Sequence, residues 1–98
     1  MKLINVLVKE LPSKGGWHPE AAFYAQDKSG RITAYSKEPR KDGDAYSYNN
    51  MIYAGWGSNA DFFGKKSSDW DSTVISKSEY DTYIRFLNFL LLSKELFV

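Results

Sequence analysis

The chain has 98 residues and a mass of 11.2 kDa, so residues 1–98 fit a single domain, since domains usually run to about 100–150 residues. Its 16% aromatic content is typical of a folded protein, whereas disordered tails are poor in aromatic residues. A net charge of +1 excludes an acidic nucleic-acid mimic and a strongly basic nucleic-acid coat. The absence of cysteine excludes disulfide scaffolds and thiolate sites.

The N-terminal residues carry no signal-peptide pattern, because Asn5 interrupts the apolar stretch and Lys9 and Glu10 end it. The apolar run at residues 86–92 is much shorter than the about 20 residues that a membrane span needs. We therefore expect a cytoplasmic protein with no membrane association.

The first predicted element is a strand over residues 3–8. This segment is aliphatic, and Ile4, Val6 and Val8 recur at a period of two. A proline and two glycines then predict a loop over residues 11–16.

A β-hairpin over residues 21–36 is the clearest local signal in the chain. Its arms flank Asp27-Lys28-Ser29-Gly30, and aspartate at the start of a turn and glycine where φ becomes positive are the residues that such a turn prefers. Side chains alternate along both arms. One face is predicted to be apolar and the other mixed polar and aromatic, as a sheet covered on one side requires.

The middle of the chain gives weaker patterns. Residues 37–44 are polar and of mixed charge, which predicts a solvated loop. Residues 51–56 and 70–75 are each predicted to form a strand. Residues 58–68 show no sustained period and are predicted to be a helical turn or a loop.

A helix is predicted over residues 77–92. Ser76 and Glu79 form a capping box at its start, in which each side chain bonds to the backbone N–H of the other. Ile75 before the cap and Tyr80 inside the helix are placed for a hydrophobic staple. The fold class is therefore α+β, with a small antiparallel sheet of three to five strands and the C-terminal helix packed on one face.

The second half of this helix is apolar almost all round, and such a helix is usually buried on every side. One sheet covers only one face, so Phe86, Phe89 and Leu90 need further cover. Residues 97–98, residues 46–63 and a second subunit are all possible sources. Self-association through Phe86, Phe89 and Leu90 is one of these open alternatives.

No pattern in the chain predicts catalysis, a metal or a cofactor. His18 is the only histidine, and one histidine beside a carboxylate is too little for a zinc site, so we expect it to cap its own loop. Asp69 and Asp71 would share one face of a strand, but the chain leaves little material for a sugar-binding cleft. Lys65 follows a glycine but lacks the earlier glycine of a phosphate-binding loop. We therefore expect that the protein is not an enzyme.

The aromatic residues outnumber what a two-layer core usually holds, and tyrosine, tryptophan and arginine are enriched at protein-binding hot spots. The predicted partner-binding residues are Tyr24, Tyr35, Tyr46, Tyr48, Trp56, Arg31 and Arg40. The same surface would also suit the stacking of unpaired nucleic-acid bases. Sugar rings are another possible ligand, for which Trp17, Trp56 and Trp70 would be the platforms. A core with some aromatics exposed by chance is the remaining alternative.

Residues 17–32 contain Ala25-Gln26-Asp27, then Gly30 and Ile32, and are followed by a short polar segment ending in proline. This pattern resembles a hairpin found in small accessory proteins of bacteriophages and prophages, and residues 70–80 are also similar to a segment of these proteins. The resemblance implies a viral or prophage origin and a role in binding host machinery. It assigns no site residue.

Together these observations favour a non-catalytic protein–protein interaction module, such as a phage-encoded modulator or inhibitor that acts by occluding a host protein in the host cytoplasm. The alternative is a small nucleic-acid-binding module that uses the same aromatic residues together with Arg31, Arg40 and Lys41.

Overall fold

The computed structural model describes residues 1–47 and 49–96, with side chains described as far as residue 92. The predicted α+β fold class is confirmed. Four antiparallel strands form the main sheet in the order β5-β2-β1-β6, and β3 and β4 pair separately. In chain order the elements are α1 (Leu3–Glu10), a 3-10 turn (Leu11–Lys14), β1 (Phe23–Gln26), β2 (Arg31–Tyr35), β3 (Lys41–Asp42), β4 (Ala45–Tyr46), β5 (Asp61–Phe63), β6 (Val74–Ser76) and α2 (Lys77–Leu96).

The predicted hairpin is confirmed as β1 and β2. Its turn is closed by the Asp27 carboxylate, which accepts the backbone N–H of Ser29 at 2.9 Å, and by Gly30 at a φ of +95°. The register pairs Gln26 with Ile32, so Gln26 shares a face with the aliphatic residues of β2. That face is covered by α1 and the first turns of α2.

The prediction of a strand at residues 3–8 is wrong, because this segment forms α1. Leu3, Val6, Leu7 and Leu11 recur at helical spacing and are fully buried against the sheet. The preceding residue supplies no side-chain cap, but the Asp69 carboxylate accepts the Leu3 N–H at 2.8 Å. A run of aliphatic residues fits either period, and here a cap from far along the chain selects the helix.

Three further predictions are corrected by the structure. Residues 51–56 do not form a strand; Met51 alone bridges to Tyr35. Residues 58–68 contain the edge strand β5 in place of a helical turn or loop. Of residues 70–75 only the last two belong to β6, because residues 68–72 form the turn that carries the cap of α1.

The sheet is covered on both faces, although the hairpin pattern predicts cover on one. On the face opposite the helices, Tyr46 of β4 packs with Ala25 and Tyr35. Only β3 and the turn of the β3–β4 hairpin lie within residues 37–44, the segment predicted to be a solvated loop; β4, which carries Tyr46, follows that segment. The apolar cluster on the helix-covered face consists of Leu3, Val6, Leu7, Leu11, Ala21, Tyr24, Ile32, Ala34, Ala60, Phe62, Ile75 and Tyr80.

Gln26 is fully buried and joins the hairpin to residues 64–67. Its amide nitrogen donates to the carbonyls of Gly30 and Lys65, each at 3.0 Å, and its carbonyl accepts the Ser67 N–H at 2.8 Å. In the same segment, Gly64 lies so close to the sheet that a Cβ atom would stand 2.6 Å from Ile32 Cδ1. Hydrogen bonding and close packing therefore both fix this segment.

The capping box of α2 is confirmed. The Ser76 hydroxyl accepts the Glu79 N–H at 3.1 Å, and the Glu79 carboxylate accepts the Ser76 N–H at 3.3 Å. The first turns pack on the domain, where Tyr83 Oη donates to Asn5 Oδ1 at 2.5 Å. The helix continues to Leu96, four residues beyond its predicted end. Among the described residues, no helix has both the length and the apolar character needed to cross a bilayer.

Replacing Gln26 by methionine should lower the free energy of unfolding by about 2–3 kcal/mol. The apolar side chain fits the space but leaves the Ser67 N–H and the Lys65 carbonyl without this partner inside the domain. Urea denaturation monitored by circular dichroism measures the change. The matched control is Lys28→Met in the exposed turn, which should stay within about 0.5 kcal/mol of wild type. Equal effects of the two substitutions would contradict the role given to Gln26.

Replacing Asp69 by alanine should cost about 0.5–2 kcal/mol and reduce helicity, because α1 loses its cap and the favourable charge at its N-terminus. Asp71→Ala removes an exposed carboxylate from the same turn and serves as the control. Thermal unfolding and far-ultraviolet circular dichroism compare the two. A larger loss in the Asp71 variant would show that the cap is not the relevant contact.

Candidate interaction surfaces

Three of the predicted partner-binding tyrosines are buried. Tyr24, Tyr35 and Tyr46 are only 0%, 4% and 7% exposed, so the prediction that they lie on an open surface is wrong. The physical reason is the cover on both faces of the sheet: helices lie over Tyr24, and the β3–β4 hairpin lies over Tyr35. These residues belong to the core.

The buried hydroxyl groups have specific partners. Tyr24 Oη donates to the carbonyl of Asn59 and accepts the N–H of His18 at 3.1 Å. Tyr46 Oη donates to the carbonyl of Trp70 at 2.9 Å. Burial raises the pKa of Tyr24 and of Tyr35 to about 12, because a buried phenolate would lose its hydration. Burial also raises the pKa of Tyr46, with the nearby Asp71 and Asp69 carboxylates adding to the effect.

Of the remaining predicted residues, Tyr48 lies outside the described residues. The other three lie at two different places in the structure. Arg40 is exposed just before the β3–β4 hairpin, where its carbonyl accepts the Ser47 N–H at 2.9 Å. Trp56 and Arg31 meet at the β5 edge of the main sheet, 5.9 Å from guanidinium carbon to ring centre. The structure therefore brings Trp56 and Arg31 together at the surface, whereas Tyr35 and Tyr46 meet inside the domain.

Trp56 and Phe63 form an exposed aromatic pair. Their ring centres are 5.0 Å apart at an interplanar angle of 71°, which is an edge-to-face contact, and they are 62% and 55% exposed. Beneath them, Arg31 donates Nε and Nη2 to the two carboxylate oxygens of Asp61 at 2.7 and 2.6 Å. We call Trp56, Phe63, Arg31 and Asp61 the Trp56 surface.

The loop that carries Trp56 is folded back onto β5. The Gly57 N–H donates to the Asp61 carbonyl at 2.8 Å, and the Ser58 hydroxyl donates to the Gly55 carbonyl at 2.7 Å. Gly57 has a φ of +81°, a conformation that favours glycine. Backbone bonds and the contact with Phe63 therefore hold the tryptophan in place.

Sequence reasoning missed Phe63 and the exposed Tyr53 as surface aromatics. Phe62 and Phe63 are adjacent, so a strand places one inside and the other outside. The structure buries Phe62 in the core and leaves Phe63 in solvent. The alternation of side chains along a strand could have identified Phe63 as exposed. However, β5 has only three residues, which are too few to show a period of two in the sequence.

The second exposed surface is the distal half of α2. Phe86, Phe89 and Leu90, the residues predicted for self-association, are exposed, as are Leu91 and Leu92. The described residues between 46 and 63 do not cover them, and Phe97 and Val98 lie outside the described residues.

The groups considered for chemistry have structural partners. His18 Nδ1 accepts the Glu20 N–H at 3.1 Å, which confirms the predicted local cap. Asp69 caps α1 from a turn and does not share a strand face with Asp71. Lys66 Nζ lies 5.3 Å from the centre of the Trp70 ring. Within residues 1–47 and 49–96, no cluster of three or more histidine, aspartate or glutamate residues is arranged to hold a metal ion.

Alkaline pH should destabilise the protein between pH 10 and about 12. An ordinary tyrosine has a pKa of 10.0, and the folded state raises that of Tyr24 and Tyr35, so the folded state keeps protons that the unfolded chain releases. The stabilisation is complete below pH 10 and is lost as the pH rises through the folded pKa. Urea denaturation across this range should show a shallower loss for Tyr35→Phe than for wild type. An unchanged slope would contradict the burial of the hydroxyl.

No protein-family model, curated protein or solved structure matches the chain.

Proposed function

We propose that the chain is a non-catalytic protein-binding domain that uses the Trp56 surface to occlude a site on its partner. The observation that supports this most directly is the Trp56–Phe63 pair, in which two large rings contact each other and each is more than half exposed. Clustered exposed aromatic rings are typical of binding hot spots.

The apolar area is large enough for a binding anchor. The exposed parts of Trp56 and Phe63 amount to roughly 250 Å² if each ring offers about 150–250 Å² in all. Covering this area would contribute about 6 kcal/mol before the costs of association are subtracted. That exceeds the about 2 kcal/mol that defines a hot-spot residue.

The rings are also held in position before any partner binds. Phe63 projects from β5, and the hydrogen bonds between Gly57, Asp61, Ser58 and Gly55 fold the Trp56 loop against that strand. Binding would therefore cost less side-chain and loop entropy than ordering a mobile loop does. This pre-organisation favours a role as a contact surface.

Charge at the Trp56 surface favours a protein partner over nucleic acid. Arg31 and Asp61 form a bidentate ion pair, so the positive charge of the guanidinium is compensated beside the rings. A nucleic-acid site would instead combine aromatic rings with uncompensated basic residues. An apolar centre with a paired polar rim is the arrangement of protein interfaces.

The resemblance of residues 17–32 and 70–80 to phage accessory proteins suggests where the partner comes from. We infer a bacterial host protein of the cytoplasm, whose functional site the Trp56 surface would cover. We expect that site to be an apolar cleft that accepts two adjacent rings. Groups that can hydrogen bond with Arg31 and Asp61 should lie next to the cleft.

A comparison of variants tests the proposal. Trp56→Ala with Phe63→Ala removes both rings from exposed positions, so the domain should remain folded while the affinity falls at least tenfold. Leu92→Ala, which removes a comparably exposed apolar side chain elsewhere, is the matched control. The three proteins are immobilised on a resin and exposed to bacterial lysate with and without nuclease treatment. Captured proteins are identified by mass spectrometry, and the purified partner is titrated by calorimetry.

The outcomes separate the alternatives. One host protein retained by wild type and by Leu92→Ala, but lost with the double variant, supports the proposal. Equal retention by all three proteins would mean that the Trp56 surface is not the binding site. Recovery that collapses when nuclease is added, and an affinity that falls steeply with salt, would favour the nucleic-acid alternative.

A further inference from the structure

Two lysine side chains lie over the ring of Trp70. The Nζ atom of Lys41 is 5.2 Å from the ring centre and that of Lys66 is 5.3 Å from it, so both ammonium groups make a cation–π contact with the same indole. The two ammonium groups are therefore at most about 11 Å apart. We call Lys41, Lys66 and Trp70 the Trp70 surface, which shares no residue with the Trp56 surface.

Backbone hydrogen bonds hold all three residues of the Trp70 surface in place. Lys41 is paired with Tyr46 in the β3–β4 hairpin, and Tyr46 Oη donates to the Trp70 carbonyl at 2.9 Å. The buried side chain of Gln26 bonds the carbonyl before Lys66 at 3.0 Å and the N–H after it at 2.8 Å. The fold therefore brings the two cations and the ring together from three separate segments of the chain.

The two ammonium groups have no carboxylate partner among the residues whose side chains are described. The ion pairs in that part of the chain join Lys28 with Asp44, Arg31 with Asp61, and Lys77 with Asp81. Beside Trp70 in the chain, the Asp69 carboxylate is engaged as the cap of α1, and Asp71 is exposed. Lys41 and Lys66 are therefore available to an anion from outside the domain.

We propose that the Trp70 surface binds single-stranded nucleic acid, with Lys41 and Lys66 each pairing with one backbone phosphate. A stacked strand carries one negative charge per about 3.4 Å, so a segment of about three nucleotides spans the two cations. Uncompensated basic residues beside an aromatic ring are the combination by which proteins bind unpaired strands. The Trp56 surface lacks this combination, because its guanidinium is paired with a carboxylate.

The charge of the domain favours a single strand over a duplex. A net charge of +1 provides no broad basic field of the kind that a duplex-binding surface needs, whereas a flexible strand can bring two phosphates to two fixed cations. An acidic peptide supplies negative charge but no base to contact the indole. Because only two phosphates are neutralised, we expect a dissociation constant of about 10⁻⁴ M or weaker at low salt.

Fluorescence anisotropy of a labelled oligothymidylate of about ten nucleotides measures the binding. Lys41→Gln with Lys66→Gln removes both phosphate contacts and should raise the dissociation constant at least about fivefold at low salt. The matched control is Lys28→Gln with Lys77→Gln, which removes the same total charge from lysines that already form ion pairs. The control should stay within about twofold of wild type. Circular dichroism confirms that both variants fold.

The salt dependence of the affinity counts the phosphates. For two contacts to a single strand, the logarithm of the binding constant should fall with the logarithm of the salt concentration at a slope of about −1.4. Lys41→Arg with Lys66→Arg keeps both charges and should retain the wild-type affinity within about twofold. Trp56→Ala with Phe63→Ala should also bind the oligonucleotide as wild type does, which separates this test from that of the Trp56 surface.

Three results would overturn the proposal. These are no binding by wild type at low salt, equal losses in the two glutamine variants, and loss of oligonucleotide binding when Trp56 and Phe63 are replaced. Polyglutamate that binds as tightly as the oligonucleotide would assign the Trp70 surface to acidic peptides instead.

Discussion

The fold depends on the side-chain amide of Gln26, which hydrogen bonds with three backbone groups inside the domain. These are the carbonyls of Gly30 and Lys65 and the N–H of Ser67. By accepting the Ser67 N–H, it fixes the segment that leads into residues 68–72. That turn presents Asp69 to the first N–H of α1, and α1 then covers the aliphatic face of the sheet. One buried polar residue therefore connects the hairpin, the connecting segment and the N-terminal helix, and its hydrogen bonds explain how a glutamine can be fully buried beside an apolar core.

The elements that could be predicted from the sequence are those whose determinants are local. Asp27 and Gly30 fix the β1–β2 turn within four residues, and Ser76 and Glu79 cap α2 within another four. Hydrogen bonds of this kind need no tertiary context, so the pattern of residues is sufficient to place them. The α+β class followed from these two elements.

The elements that could not be predicted depend on distant partners. The cap of α1 comes from 66 residues away, so a strand remained the simpler interpretation of an aliphatic run. The strand β5 has three residues and exists because it pairs with β2. The candidate site failed for the same reason: whether Tyr24 or Tyr35 is exposed depends on what covers the sheet, and the β3–β4 hairpin that covers Tyr35 begins in a segment of polar composition.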